Sequence, residues 1–127
     1  MVAGELGVEF SYAERFAQPR SDKLYPVEYR LPGALRKKVR GKRVAIVNDV
    51  INAGSAVRGA YADLIACGAE PVAIGSLLVL GDSAATFAAE NKMVLETLAT
   101  LPNVLWHPSD CPLCASRVPL EDGGKNE

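Results

Sequence analysis

The chain has 127 residues, and its 14 Lys and Arg nearly balance 15 Asp and Glu for a formal net charge of −1. That balance leaves no basic footprint for nucleic acid or for an anionic membrane. An apolar fraction of 49% and a charged fraction of 23% suit a single globular domain over residues 1–127, with no apolar run long enough to span a bilayer and no signal-peptide pattern, so the default expectation is a cytoplasmic protein.

Met1–Gly7 reads as the last turn or two of a helix, stopped at Gly7. Val8–Tyr12 alternates Val8, Phe10 and Tyr12 with Glu9 and Ser11, which predicts a strand. Pro19, Arg20, Ser21, Asp22 and Lys23 mark an exposed loop over Ala17–Leu24. Tyr25–Pro32 predicts a short edge strand between prolines, and Pro32–Val39 a turn of helix with a basic, solvated end.

Val44-Ala45-Ile46-Val47 follows the basic turn Arg40–Arg43. This apolar run predicts a strand buried on both faces and central in its sheet. It ends in the polar pair Asn48-Asp49. The chain then turns through Asn52-Ala53-Gly54 and enters a helix at Ser55, the candidate cap. Ala56, Val57, Ala60, Tyr61, Leu64 and Ile65 form the apolar stripe of that helix, Cys67 a small core residue at its end, and Gly68 its stop. Val72–Leu80 reads as a parallel strand beside the first, joined to it by the helix. Asp82 or Ser83 is placed to cap a short helix over Ala84–Ala89. Met93–Leu98 is short and follows a turn, which favours a strand, and Asn103–Trp106 adds a last extended piece.

The tail holds Cys111-Pro112-Leu113-Cys114. Two thiolates at that spacing are one zinc half-site, with His107 a third possible ligand, but a second pair is absent. An odd number of cysteines without a secretory signal argues against a disulfide framework. The plainer expectation is a proline-bearing turn with small buried thiols. Glu121–Glu127 is polar and glycine-containing, the composition of a disordered tail.

Residues 44–56 carry the chemistry. A glycine turn that opens a helix offers free N–H groups and a positive dipole end, which suit a phosphate. In open α/β sheets ligands bind at the carboxyl ends of strands, where Asn48-Asp49 stands. The whole stretch, continuing into Val57-Arg58-Gly59, resembles the phosphoribosyl-pyrophosphate (PRPP) motif of type I phosphoribosyltransferases, and among them is most similar to the orotate enzymes. Asn48 takes the place of the family's first acidic residue.

The resemblance implies a mainly parallel, twisted α/β sheet with flanking helices. It implies transfer of ribose 5-phosphate from PRPP to a nucleobase, orotate by preference, in pyrimidine nucleotide biosynthesis. The backbone and hydroxyl of Asn52, Ala53, Gly54, Ser55 and Ala56 would hold the 5-phosphate. Asp49 would accept from a ribose hydroxyl and favour the positive charge that develops on the sugar. Asn48 would bond the neighbouring hydroxyl, with dipole in place of charge. Mg²⁺ is implied, bound mainly by substrate oxygens. Arg20 and Lys23 would face pyrophosphate, although solvated surface charge is the plainer reading of either alone. A homodimer is implied as well. The family's pyrophosphate loop would precede Met1, so the chain corresponds to the C-terminal portion of that fold, and an apolar patch beside Val8–Tyr12 is expected to lie uncovered. A non-catalytic PRPP- or nucleotide-binding module and a phosphoribosyltransferase for another base are the competing readings.

Overall fold

The computed structural model describes residues 2–17, 27–107 and 109–119, so the loop residues Arg20 and Lys23 and the tail 121–127 lie outside the described residues. In chain order the elements are α1 (Val2–Glu5), β1 (Glu14–Ala17), β2 (Val27–Arg30), α2 (Gly33–Val39), β3 (Arg43–Ile51), α3 (Ser55–Ala66), β4 (Glu70–Leu80), α4 (Ser83–Glu90), β5 (Val94–Leu101) and α5 (Pro112–Ala115). β3, β4 and β5 make a parallel sheet in that order, and β1 pairs antiparallel with β2 as a separate ribbon. Parallel neighbours need a long connection, which α3 and α4 supply.

The core lies between the sheet and these two helices. Ile46, Ile74 and Leu95 stand in register across the three strands, and Val57 and Leu64 of α3 and Ala84, Phe87 and Ala88 of α4 close over them. Tyr61 meets Phe87 edge-on at 5.3 Å and 85°, which ties the two helices together. α3 stops as expected at Gly68, where the Gly68 N–H reaches Ile65 O at 2.9 Å and the Ala69 N–H reaches Leu64 O at 3.0 Å. Asp63 of α3 holds the preceding segment: it accepts from the Leu31 N–H at 2.8 Å and from Arg36 at 2.7 Å. The predicted strands at Val72–Leu80 and Met93–Leu98 are present as β4 and β5, and the edge strand before Pro32 as β2.

Four expectations are corrected. β3 is an outer strand of the described sheet, with β4 in the middle. Nor is β3 buried on both faces, because Ala45 is exposed and Val47 is 66% exposed; helices cover one side only, and a run of apolar residues does not report how many faces are covered. Val8–Tyr12 forms no strand. It runs beside β3, with Phe10 and Tyr12 lining a cavity of about 280 Å³ shared with Val44 and Val47, and Glu9 forms an exposed ion pair with Lys42. Without a ladder its alternation has no pleat to follow. Val8, Phe10 and Tyr12 are exposed, the apolar patch expected there. Finally, the tail thiols are not buried: Cys114 is exposed and Cys111 half-exposed, whereas Cys67 is in the core as expected.

The sheet has one further irregularity. Ile46 and Ile51 both face the core, as do Ile74 and Val79, yet each pair is separated by an odd number of residues. Side chains alternate along a strand, so β3 and β4 both change phase within these intervals. The pairs Asn48↔Ser76 and Val50↔Leu78 bracket the change.

Candidate active site

β3 delivers Asn48 and Asp49 to its carboxyl end, and the turn 52–54 brings the chain back into α3. Together they frame a cavity of about 450 Å³, lined by the loop 52–56 with Tyr29, Asn48, Val50 and Ile51. Every residue expected to hold a 5-phosphate is thus in one concavity with Asn48. Tyr29 closes it from the β1–β2 ribbon and packs on α3 at Gly59, where an added Cβ would stand 3.0 Å from the Tyr29 side chain.

Ser55 is not the cap. Gly54 occupies that position, in the left-handed region at φ 80°, and no side chain caps the helix. The Arg58 N–H makes the first helical bond, to Gly54 O at 2.9 Å. The first-turn N–H groups before it have no partner within a helix, and the dipole favours an anion there. A glycine cap leaves this end open.

The loop is braced from outside the motif. The Ser83 hydroxyl donates to Ala53 O at 2.9 Å, and the Asn103 amide donates to Asn52 Oδ1 at 2.8 Å. Arg58 donates to Ser83 Oγ at 3.3 Å and lies 4.5 Å above the Phe87 ring, a cation–π contact. Gly81, at φ 67°, lets Asn103 approach, since a Cβ there would come within 2.6 Å of Asn103 O. Sequence reasoning missed Ser83 and Asn103 in this role, because each reaches the loop only through the fold, and it missed Arg58, which holds Ser83.

Asp49 is exposed, and its Oδ1 accepts from the Val50 N–H at 2.8 Å. Asn48 is half-buried; its amide donates to Val50 O at 3.2 Å and its Oδ1 accepts from the Asp49 N–H at 3.1 Å. The buried Ser76 hydroxyl lies 3.0 Å from Asp49 O and 2.9 Å from Leu78 O, sharing one proton between them. Ser76 had a signal in the sequence, a lone hydroxyl inside an apolar run.

The tail residues do not converge on a metal. Among the described residues no three His, Cys, Asp or Glu side chains gather, and His107 Nδ1 is engaged by Ser109 Oγ at 2.8 Å. Cys111 ends the extended segment before α5. The N–H and thiol of Cys114 hold its thiol below the ordinary range, while that hydrogen bond and the charge on Cys111 push Cys114 up. No helix among the described residues is long and apolar enough to cross a membrane.

A parallel sheet whose strand–glycine turn–helix unit opens a cavity at a strand's carboxyl end is the arrangement in which open α/β proteins bind ligands, and the uncapped helix start there suits an anion. Comparison with known proteins narrows the class. The orotate phosphoribosyltransferase of Thermotoga maritima is 32% identical over 84 residues, 66% of this chain and 43% of that protein. The crystal structure of orotate phosphoribosyltransferase from Aeropyrum pernix superposes with a TM-score of 0.57 at 25% identity, covering 80% of this chain and 52% of the other. An adenine phosphoribosyltransferase structure from Trypanosoma brucei shares the fold at a TM-score of 0.60 and 20% identity, over 99% of this chain and 57% of that one. No family model matches. The chain is similar in sequence and fold to type I phosphoribosyltransferases, its sequence matches being orotate enzymes, and it spans less than half the length of the curated relatives it matches.

Proposed function

We propose that the chain carries the PRPP-binding part of an orotate phosphoribosyltransferase, moving ribose 5-phosphate to a nitrogen of orotate. The observation that carries this reading is the cavity in which the uncapped start of α3 meets the Asn48-Asp49 strand end. In the reaction the bond from sugar C1 to pyrophosphate breaks with its electron pair leaving on pyrophosphate, and a base nitrogen bonds to C1. Positive charge builds on the ring as the leaving group departs, so positioning and electrostatics account for most of the catalysis.

The first-turn N–H groups of α3 and the Ser55 hydroxyl bind the 5-phosphate. Asp49 accepts from a ribose hydroxyl and favours the ring cation. Mg²⁺ fits this donor set, with one exposed carboxylate from the protein and its other ligands from substrate oxygens and water; bound there, it would neutralise pyrophosphate charge. Arg20 and Lys23 are proposed to serve the same charge, and the working unit to be a homodimer.

The test is calorimetric binding of PRPP followed by a product assay over a panel of bases. PRPP binding that Asp49→Ala weakens by roughly 1.5–3 kcal/mol, the value of a charge-assisted hydrogen bond, together with orotidine monophosphate formation, supports the reading. Binding without product from any base supports a non-catalytic PRPP-binding module. Product only from another base transfers the assignment to that base.

A further inference from the structure

The change of phase in the sheet coincides with a row of three polar side chains. Asn48, Ser76 and Thr97 stand in register on β3, β4 and β5. Each bonds the carbonyl two residues ahead on its own strand: Asn48 Nδ2 to Val50 O at 3.2 Å, Ser76 Oγ to Leu78 O at 2.9 Å, and Thr97 Oγ1 to Ala99 O at 2.9 Å. A side chain that takes its own strand's carbonyl competes with regular backbone pairing and stabilises a local turn of the chain. Repeated in register across three neighbouring strands, the device marks one line across the sheet, and a local bend there accounts for the change of phase. That line crosses β3 next to Asp49.

We infer that Asn48 is a positioning residue: it donates to Val50 O and accepts from the Asp49 N–H, and with Ser76 on the Asp49 carbonyl it sets the direction in which the Asp49 carboxylate leaves the strand end, beside the cavity that Asn48 and Val50 line. The inference rests on the sugar-binding role proposed for Asp49. It separates Asn48 from the part of an acidic residue. A carboxylate at 48 retains acceptor oxygens but has no proton to donate to Val50 O, so charge and geometry make opposite demands at this position. The other two members of the row are hydroxyl residues, which shows what the geometry needs: a short side chain with one donor.

Four forms decide it: the unaltered chain, Asn48→Thr, Asn48→Leu and Asn48→Asp. PRPP affinity is measured by calorimetry from pH 5 to 8, relative to the unaltered chain at each pH, and the backbone amide resonances of Asp49 and Val50 are recorded without ligand. Asn48 is half-buried, so leucine is accommodated there. Asn48→Thr keeps the bond and is expected within about twofold of the unaltered affinity, with both resonances little moved. Asn48→Leu removes the bond without adding charge and is expected to bind about tenfold more weakly, with both resonances displaced, as loss of a hydrogen bond of this kind predicts. Asn48→Asp is expected to match the leucine form across this range, because an aspartate carboxyl with its ordinary pKa of about 3.9 stays ionised and has no proton to donate.

Unaltered affinity in Asn48→Leu, or equal losses in the threonine and leucine forms, would overturn the inference. If the unaltered chain binds no PRPP, the assignment of the cavity fails instead. The amide resonances then still rule on the bend, and an undisturbed Val50 resonance in Asn48→Leu overturns it.

Discussion

Two stretches of this chain run side by side and are held in opposite ways. Residues 44–56 enter a sheet ladder, turn, and begin a helix, and their loop receives bonds from Ser83 and Asn103. Residues 8–13 lie along the same strand edge with no ladder, one exposed ion pair, and Phe10 62% exposed. Both are rich in apolar residues with a readable pattern. The difference is in what surrounds them: hydrophobic pattern stabilises a strand only where a neighbour supplies both a hydrogen-bonding edge and a covered face.

The sharpest way to test that contrast is to remove mass from each side. Ile74 is fully buried at the centre of the sheet, so Ile74→Ala should cost about 2–5 kcal/mol of unfolding free energy by urea titration. Phe10→Ser should stay within about 0.5 kcal/mol, the range of exposed substitutions. A large loss from Phe10→Ser would mean that the N-terminal stretch is part of the cooperative core after all.

The two loop glycines come next in size. Gly54 and Gly81 both have positive φ, at 80° and 67°. At Gly54 an added Cβ meets only ordinary contacts, 3.6 Å to Arg58 Nε and 3.7 Å to Ser83 Oγ, whereas at Gly81 it collides with a backbone carbonyl. Gly54→Ala should therefore cost only the left-handed strain, about 1–2 kcal/mol. Gly81→Ala should cost more by thermal unfolding, and should weaken phosphate binding from outside the motif by displacing Asn103. Equal phosphate affinity in Gly81→Ala and the unaltered chain would show that the loop holds its shape without Asn103.

The smallest effect is a ranking among thiols. Cys111 is held below the usual thiol range by the Cys114 N–H and thiol, Cys114 is raised, and Cys67 is buried. A thiol of lowered pKa has more thiolate at neutral pH. Iodoacetamide at pH 7 should label Cys111 before Cys114, with the gap closing as pH rises, and Cys67 only on unfolding. Peptide mass mapping reads the order directly.

The motif was legible because its information is contiguous: apolar run, polar pair, glycine turn and helix stripe all lie between Val44 and Ile65. The order of strands was not, since Val44–Val47 reads the same at the edge or the centre of a sheet. Helix caps were half legible. Ser55 has the chemistry of a cap, but the left-handed Gly54 before it takes the position. Asn48 looked like a substitute for an acid because its neighbours in sequence are all that a motif compares. Its bonding partners gain meaning only when Ser76 and Thr97 line up beside it.

The braces on the loop 52–56 also lie in a temporal order. A chain growing from the ribosome completes the motif at Ala56 and brings Arg58 within the next turn of α3. It reaches Ser83 only after β4, and Asn103 only after β5, 51 residues beyond the Asn52 side chain that Asn103 holds. Contacts so distant along the chain form late, because the intervening segment must be ordered before they reward closure. Between the synthesis of Ala56 and that of Asn103 the protein therefore carries a complete motif on a loop that has not yet been made rigid, and a ligand that binds the finished cavity would be the first to register that folding is done.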